Sequence, residues 1–176
     1  MNRVLIRPES GGDISGIREV NIDAFTDHPI SRHTEHLIVD ALRADGALEV
    51  SLVAVEEGKV LGHVAFSRAA VGDTESGWYL LGPIAVSPTR QGRGIGAALI
   101  EAGLLEIRSR GAAGCVLVGD PGYYGRFGFA TFSGLEHEGV PHEYVLGLRF
   151  AHEEPSGCIC AHHAFMVEPE PEEGRA

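Results

Sequence analysis

Apolar residues recur along this chain with two periods, and the periods predict an alternation of helices and strands. Spacings of three and four residues indicate amphipathic helices over residues 14–25, around residues 37–42, and over residues 94–110. A strongly apolar run over residues 78–86 predicts a buried central strand, and residues 115–118 predict another. Because a helix connects these two strands, we expect them to pair in parallel through a right-handed crossover.

Shorter apolar segments predict the other strands of the sheet. Residues 48–55 and 60–71 are expected to form a hairpin, and residues 144–150 and 157–166 are expected to form a final antiparallel pair. With a first strand at residues 4–7, the order of elements indicates an α+β fold. Its central sheet is expected to be mixed and mostly antiparallel, with helices flanking it.

Neither an internal repeat nor a linker interrupts the chain before its acidic end. We therefore predict one domain over residues 1–167. The last residues, 168–176, are rich in glutamate and proline and contain few apolar side chains, so we expect this tail to be disordered.

Composition narrows the range of functions. The formal net charge is -11, and Lys59 is the single lysine among 14 cationic residues, which argues against a nucleic-acid partner because phosphate contacts need a basic surface. The sequence has no long apolar run, so neither a signal peptide nor a membrane partner is expected. The three cysteines, Cys115, Cys158 and Cys160, are few and odd in number, which predicts a reduced, cytoplasmic compartment.

A glycine-rich turn lies between the strand predicted at residues 78–86 and the helix that follows. The first backbone N–H groups of a helix lack intrahelical partners, and together with the helix dipole they form an anion site. Glycines at positions 92, 94 and 96 remove the side chains that would keep a diphosphate away from this backbone. Arg90 and Arg93 add charged donors. The turn therefore predicts binding of a phosphate-bearing cofactor.

Two other interpretations of this turn are weighed against that prediction. It could be a tightly packed helix start without a ligand. It also fits the dinucleotide fingerprint G-x-G-x-x-G/A, as Gly92-x-Gly94-x-x-Ala97. However, residues 87–91 separate the turn from its strand, and two predicted helices precede it, whereas the fingerprint directly follows the first strand of its fold. An NAD(P)-dependent oxidoreductase is therefore the less favoured hypothesis.

Two segments resemble signatures of the GCN5-related N-acetyltransferase (GNAT) superfamily. Residues 81–96, LGPIAVSPTRQGRGIG, resemble its strand-turn-helix signature, and Tyr124-x-x-x-Gly128-Phe129 resembles its second signature at the expected place. Residues 119–129, GDPGYYGRFGF, are similar to the YhbS-like branch of the superfamily. The resemblance covers nearly the whole chain. It implies a GNAT fold, with a splayed pair of parallel strands at the cofactor site.

The resemblance also implies which residues bind acetyl-CoA, the co-substrate of these enzymes. Amides of the glycine-rich turn would bind the pyrophosphate, and the central strand would pair with the pantetheine arm as an added strand pairs with a sheet edge. Asp120 would either contact pantetheine or cap the following helix. The implied cofactor-binding residues are Ile84, Ala85, Val86, Gln91, Gly92, Arg93, Gly94, Ile95, Gly96, Ala97, Asp120, Tyr123 and Tyr124.

The reaction implied by the resemblance is transfer of an acetyl or other short acyl group to a primary amine, by direct attack in a ternary complex. A backbone amide near Ile84 would stabilise the oxyanion, and Tyr124 would protonate the leaving thiolate as a general acid. The side chain of Tyr123 would point in a different direction from that of Tyr124, so the two tyrosines should not be interchangeable. Many members of the superfamily have Asn seven residues before this tyrosine, where this chain has Leu117.

The group that deprotonates the amine is not selected by any motif. Glu35, His28, His33 and His63 are the candidates, acting directly or through water. His63 lies in an alternating strand pattern, where a histidine is more often structural.

The sequence also does not identify the acceptor, which is expected to be a small-molecule or peptide amine. Acceptor sites in the superfamily are formed by the first two helices and the last hairpin, here residues 28–36 and 134–144. Homodimers are common in the superfamily. A rival hypothesis is a non-catalytic acyl-CoA-binding or regulatory module, which would keep the glycine-rich turn without needing Tyr124.

A cluster of potential metal ligands lies near the end of the chain. Cys158, Cys160, His162 and His163 are all residue types that bind zinc. On one strand, however, His163 would face away from the other three, and the spacing matches no compact zinc motif. We therefore predict that this segment packs as a strand and that the protein has no metal site.

Overall fold

The fold is built on a mixed six-stranded sheet, and the computed structural model describes residues 3–171. In chain order the elements are β1 (Leu5–Pro8), α1 (Ile14–Phe25), α2 (Glu35–Ala44), β2 (Val50–Glu56), β3 (Lys59–Arg68), β4 (Ala70–Val71), β5 (Trp78–Val86), α3 (Ile95–Ser109), β6 (Gly114–Val118), α4 (Pro121–Tyr124), β7 (Leu135–Glu136), β8 (Val145–Arg149) and β9 (Gly157–Cys160). Single 3₁₀ turns include Pro88–Arg90, Gly125–Phe127 and His163–Met166.

The main sheet has the strand order β1-β2-β3-β5-β6-β8. Only β5 and β6 pair in parallel, and the other neighbours are antiparallel. The β5–β6 ladder covers Trp78–Leu80 against Gly114–Val116, and beyond it the two strands diverge. The predicted mixed, mostly antiparallel sheet with a splayed parallel pair is confirmed, as is the α3 crossover between β5 and β6.

Helices cover both faces of the main sheet, because side chains of successive strand residues point to opposite faces. Leu99 of α3 packs with Phe66 of β3 in the core on one face. On the other face, Ile17 of α1 and Val39 of α2 pack with Val53 of β2. All five of these side chains are at most 1% exposed, so both layers are well packed.

Two glycines let α3 lie close to β3. A Cβ atom at Gly103 would overlap the ring of Phe66. On the strand side, a Cβ atom at Gly62 would lie 3.0 Å from Leu99 Cδ1 and 3.1 Å from Ile95 Cγ2. Because interiors are close-packed, these contacts hold the helix at a fixed height above the sheet. They thereby place the first turn of α3 near the end of β5.

A second, smaller sheet packs on the face that α1 and α2 also cover. It consists of β4, β9 and β7, with β9 in the middle, antiparallel to β4 and parallel to β7. Val71, Ile159 and Leu135, one from each strand, pack with Trp78 and Leu80 of β5.

The predicted pairing of residues 144–150 with residues 157–166 is wrong. β8 pairs antiparallel with β6, and its other edge bridges to Ala130. Because both edges of β8 are occupied, β9 pairs in the smaller sheet instead. The strand predicted to reach residue 166 ends at Cys160. His162 then starts a 3₁₀ turn, in which its Nδ1 accepts a hydrogen bond from the Ala164 N–H at 3.0 Å.

Other elements agree closely with the prediction. α1 and β5 have the predicted bounds, and α3 is one residue shorter at each end. The strand predicted over residues 60–71 is divided at Ala69 into β3 and β4, which belong to different sheets.

Part of the acidic segment 168–176 contacts the helices. Glu168 lies 3.2 Å from Arg32, and Glu170 lies 2.7 Å from Arg18, which also pairs with Asp40 at 2.6 Å. Arg18 lowers the pKa of Glu170 through this hydrogen bond. Residues 172–176 lie outside the described residues, so the prediction of a disordered tail is not tested there.

Within residues 3–171, no helix has the length and apolarity needed to cross a bilayer.

Candidate active site

The glycine-rich turn connects the end of β5 to the start of α3. After the 3₁₀ turn, the side-chain amide of Gln91 donates a hydrogen bond to the carbonyl of Val86 at 3.1 Å, which ties the turn to the strand. Gly92 and Gly94 have φ values of 75° and 82°, a region that favours glycine. Gly94 is the N-cap of α3, so the amides that follow it are available to an anion.

A cavity of about 430 Å³ opens between this turn and β5. Its lining joins the end of the strand, the glycine-rich turn, the first turn of α3 and the segment around α4. The lining residues are Ile84, Val86, Arg90, Gln91, Gly92, Gly94, Ile95, Gly96, Ala97, Tyr123 and Arg126.

Nine of the thirteen predicted cofactor-binding residues line this cavity, and four do not. Ala85 is 2% exposed because side chains alternate along β5, so only its backbone is near the site. Asp120 caps α4 by accepting a backbone N–H at 2.9 Å, which is one of its two predicted roles. Arg93 is exposed on the turn, and Tyr124 is partly buried behind the lining.

One edge of β5 is free beside the cavity. Ile84, Ala85 and Val86 pair with β3 on one side. On the β6 side, the ladder within the described residues ends at Leu80. The peptide groups beyond this point can therefore pair with an extended ligand that carries amides.

The side chain of Arg90 already has a partner in the protein. Its Nη2 lies 2.6 Å from Oε2 of Glu56, whose side chain is only 12% exposed at the end of β2. Arg90 lines the cavity, but its charge is compensated there. It is thus a weaker phosphate donor than the sequence alone suggests.

Arg126 is a cavity residue that the sequence analysis missed. Its Nε donates to the carbonyl of Tyr123 at 2.9 Å, and its guanidinium carbon lies 4.5 Å from the centre of the Tyr123 ring. The i, i+3 spacing on a helical turn was the available signal. Since both contacts hold the guanidinium over the ring, Arg126 brings positive charge to the cavity wall.

Tyr124 is packed among aromatic rings. Its ring lies edge-on to those of Tyr123 and Phe129, with centroids 5.0 and 6.1 Å away. Gly119 leaves the space for it, because a Cβ atom there would lie 2.5 Å from Tyr124 Cε2. Burial, with a smaller contribution from Tyr123, raises the pKa of Tyr124 to about 12. The phenol is therefore protonated throughout the neutral range.

Tyr123 faces the first turn of α3. A Cβ atom built on Gly96 would lie 3.2 Å from the Tyr123 hydroxyl and 3.6 Å from Val86 Cγ2. Gly96 thus keeps open the narrow space between α3, β5 and α4. Of the two adjacent tyrosines, Tyr123 lines the cavity directly.

His63 is enclosed in the core and is 0% exposed. The Asn21 side-chain amide lies 3.3 Å from its Nδ1, and Ser51 Oγ lies 2.8 Å from its Nε2. The amide nitrogen can only donate, so Nδ1 accepts and the ring proton is assigned to Nε2. Burial, and to a lesser extent the charge of Arg43, lowers the pKa of His63 to about 3. A neutral ring with both nitrogens engaged fits a structural role rather than that of an accessible base.

The other three candidate bases lie between α1 and α2 or at the start of α2. Glu35 accepts a hydrogen bond from Ser31 Oγ at 2.5 Å, His28 Nδ1 accepts one from the Ile30 N–H at 3.3 Å, and His33 is exposed. None of the three is among the described residues that line the cavity. The structure therefore places none of the three at the wall of this cavity.

Comparison with known proteins agrees with this geometry. An acetyltransferase (GNAT) domain model matches residues 47–131, a range that includes the glycine-rich turn and both tyrosines. The uncharacterized N-acetyltransferase YhbS of Escherichia coli K12 is 38% identical over 127 residues, which cover 72% of this chain and 73% of YhbS.

Solved structures extend the likeness to nearly the whole chain. A GNAT family acetyltransferase from Brucella melitensis, in complex with acetyl-CoA, is 47% identical, with a TM-score of 0.84 over 94% of this chain and 99% of that chain. YhbS from Escherichia coli, in complex with CoA, is 31% identical, with a TM-score of 0.86 over 95% of this chain and 94% of that chain. The chain therefore belongs to the GNAT family of acetyl-CoA-dependent N-acetyltransferases.

Proposed function

We propose that this enzyme transfers an acetyl group from acetyl-CoA to a primary amine by direct attack within a ternary complex. The observation that carries the proposal is the chemistry of the cavity lining. Among the described residues, the lining offers backbone amides, apolar side chains, Gln91, Tyr123 and two arginines, and it offers no cysteine, serine, histidine or lysine. Tyr123 is the one lining residue that could form a covalent intermediate, and its hydroxyl faces Gly96 in the first turn of α3, where the phosphates would lie. Direct attack by the amine needs no such intermediate.

The cavity suits the acyl donor at both of its functional ends. The anionic phosphates of acetyl-CoA would contact the first amides of α3, at the positive end of the helix dipole, and Arg126. Its amide-bearing arm would lie along the free edge of β5 at Ile84–Val86. Around Gly92 and Gly94, an added Cβ atom would have no other atom within 4 Å, so the turn is open to a diphosphate there. The two related structures were solved in complex with acetyl-CoA and with CoA, which supports the identity of the donor.

In the proposed reaction, the backbone amide near Ile84 donates to the thioester carbonyl oxygen while the neutral amine forms the new C–N bond. The tetrahedral intermediate then collapses, and the C–S bond breaks. Tyr124 gives its proton to the departing thiolate. The amine nitrogen loses its extra proton to a base or to water, and a proton returns to Tyr124. The products are an amide and CoA thiol, and all protons are accounted for.

The raised pKa of Tyr124 has two effects on this step. It keeps the phenol protonated throughout the neutral range. It also makes Tyr124 a weaker acid than an ordinary thiol, whose pKa is about 8.5. Complete transfer ahead of bond cleavage is therefore unfavourable, so the proton is expected to move as the C–S bond breaks.

The test of the proposed function is a panel of small-molecule and peptide amines incubated with acetyl-CoA, with free thiol followed over time. We expect thiol release that depends on both substrates and yields an acetylated amine. A stoichiometric burst of thiol without acceptor, accompanied by an acetylated protein in intact mass spectra, would contradict direct attack. Binding of NAD or NADP in place of acetyl-CoA would instead revive the dinucleotide hypothesis.

Arg126 offers a prediction specific to this cavity. Arg126→Ala is expected to raise the Kd for acetyl-CoA about tenfold, the effect of losing one charged hydrogen bond of about 1.5 kcal/mol, with kcat nearly unchanged. Isothermal titration calorimetry at two salt concentrations measures this. Arg108→Ala is the matched control, because Arg108 lies over the Phe150 ring at 5.1 Å in the last turn of α3. Equal losses in the two variants would show that Arg126 does not bind the donor.

A further inference from the structure

Three potential metal ligands from two distant parts of the chain meet on the surface. Asp45 is the C-cap of α2, and His162 and His163 start the 3₁₀ turn after β9. Asp45 Oδ2 lies 2.7 Å from His163 Nε2 and 3.7 Å from His162 Nε2. No two of the three potential ligand atoms are more than 4.8 Å apart. The two imidazole rings lie 4.1 Å apart between centroids and are tilted by 31°.

The position of Asp45 leaves its charge poorly compensated. A carboxylate at a helix C-terminus is repelled by the negative end of the helix dipole. The nearby Arg43 does not relieve this, because it pairs with Glu9 at 2.8 Å and with Asp40 at 3.3 Å. Within the described residues, the two histidines are the ion-pair partners of Asp45. A bound cation would compensate both the carboxylate and the helix terminus.

We propose that Asp45, His162 and His163 form a binding site for a divalent transition-metal ion such as Zn²⁺, separate from the acetyl-transfer cavity. Two imidazole nitrogens and one carboxylate oxygen are ligands that zinc prefers. Bonds of about 2.0–2.1 Å at tetrahedral angles place ligand atoms about 3.3 Å apart, and the separations of 2.7 and 3.7 Å bracket that value. With side chains of Asp45 and His163 that are 42% and 79% exposed, water can complete the coordination.

A ring proton must move within His162 for the metal to bind. His162 Nδ1 accepts the Ala164 N–H at 3.0 Å, which assigns the ring proton of a neutral His162 to Nε2, the atom that faces Asp45. When Nε2 binds the metal, the ring proton moves to Nδ1, and the hydrogen bond from Ala164 is released. Two neutral imidazoles and one carboxylate then hold the ion.

The site would fasten the C-terminal segment to α2. Ala164 already packs against Ile38 and Leu42 next to the proposed ligands. A metal bridge adds a bond between residues that lie more than a hundred positions apart in sequence, at a junction otherwise held by apolar contacts and ion pairs. Anything that binds only the folded state raises its stability. Metal binding is thus expected to raise the Tm without taking part in acetyl transfer.

The sequence analysis considered Cys158, Cys160, His162 and His163 as one set of ligands and predicted no metal site. Cys158 and Cys160 lie on β9 and are exposed. The chain leaves the strand after Cys160, which carries His162 and His163 together to the end of α2. A site without thiolate ligands has a distinct signature, because Co²⁺ bound by thiolates absorbs strongly in the near ultraviolet and Co²⁺ bound by nitrogen and oxygen does not.

The experiment is a titration of the untagged, chelator-treated full chain with Zn²⁺ and with Co²⁺, followed by calorimetry and absorption. We expect one saturable site per chain and no thiolate band. Asp45→Asn and His163→Gln are each expected to weaken binding by at least the roughly 10- to 100-fold that loss of an outer-shell partner costs. The Zn²⁺-dependent rise in Tm should disappear with it.

His152→Gln is the matched control, since His152 is an exposed histidine outside the cluster. It should bind metal like the wild type. Absence of saturable binding to the wild type overturns the proposal, as does binding that Asp45→Asn leaves unchanged. A thiolate band would assign the metal to Cys158 and Cys160 instead. None of these outcomes depends on acetyl-CoA, so the proposed function is tested independently.

Discussion

Tyr124→Phe is expected to lower kcat by about 10²- to 10⁴-fold while the Kd for acetyl-CoA stays close to the wild-type value. The substitution removes the proton donor for the leaving thiolate and keeps the ring among Tyr123, Phe127 and Phe129. Stopped-flow or steady-state thiol release measures the turnover, and calorimetry measures donor binding. The thermal midpoint of the variant should stay near that of the wild type, because the hydroxyl contributes little to packing.

Tyr123→Phe is the matched control for this prediction. Tyr123 lines the cavity and faces Gly96, so losing its hydroxyl should affect donor binding more than turnover. The opposite result, with turnover lost in Tyr123→Phe and kept in Tyr124→Phe, would exchange the roles of the two residues. The pH profile adds a second criterion. Since the pKa of Tyr124 is raised to about 12, the wild-type rate should show no alkaline limb from this phenol up to pH 10.

Gly96→Leu is expected to weaken acetyl-CoA binding by more than about 100-fold, which corresponds to about 2.7 kcal/mol. The Cβ atom would lie 3.2 Å from the Tyr123 hydroxyl, so a leucine side chain would displace that hydroxyl and extend into the adjoining cavity, where the diphosphate would lie. Folding should survive, because Gly96 lies in the first turn of α3 and leucine is a better helix former than glycine by about 0.8–1.0 kcal/mol. Calorimetric titration with acetyl-CoA and thermal unfolding separate the two effects.

Leu105→Gln is the control on the same helix, since Leu105 is 71% exposed on the outer face of α3. It should bind acetyl-CoA like the wild type. Unchanged binding in Gly96→Leu would mean that the phosphates do not reach the first turn of α3. A large loss of thermal stability in Gly96→Leu would shift the interpretation to packing.

Local patterns of apolar residues predicted most helices and strands correctly, but they predicted the pairing of the strands less well. The bounds of α1 and β5 follow from apolar periods that end at turn residues, which is local information. The pairing of β8 with β6 does not, because it depends on which strand edges are free after α3 has crossed the sheet. β7 has only two residues and shows no period of its own. The end of β9 depends on a hydrogen bond made by the His162 side chain.

The candidate site divides in the same way. Glycines at fixed offsets after a buried strand predicted the anion cradle and most of the cavity lining. The sequence could not show that Glu56 pairs with Arg90, because Glu56 ends β2 and Arg90 lies in the 3₁₀ turn after β5. Only the fold brings these two distant segments together. The sequence could not place Arg126 at the cavity either. His63 entered the list of candidate bases on residue type alone, and only burial shows that its ring stays neutral.

The ion pair between Glu56 and Arg90 bears on how quickly product leaves. CoA carries the same phosphates as acetyl-CoA, so every charge that attracts the donor also retains the product. In many enzymes, product release is the step that limits turnover. Glu56, 2.6 Å from Arg90, competes with the phosphates for that guanidinium, so Arg90 adds little to the retention of CoA. The pair therefore favours rapid turnover over tight retention.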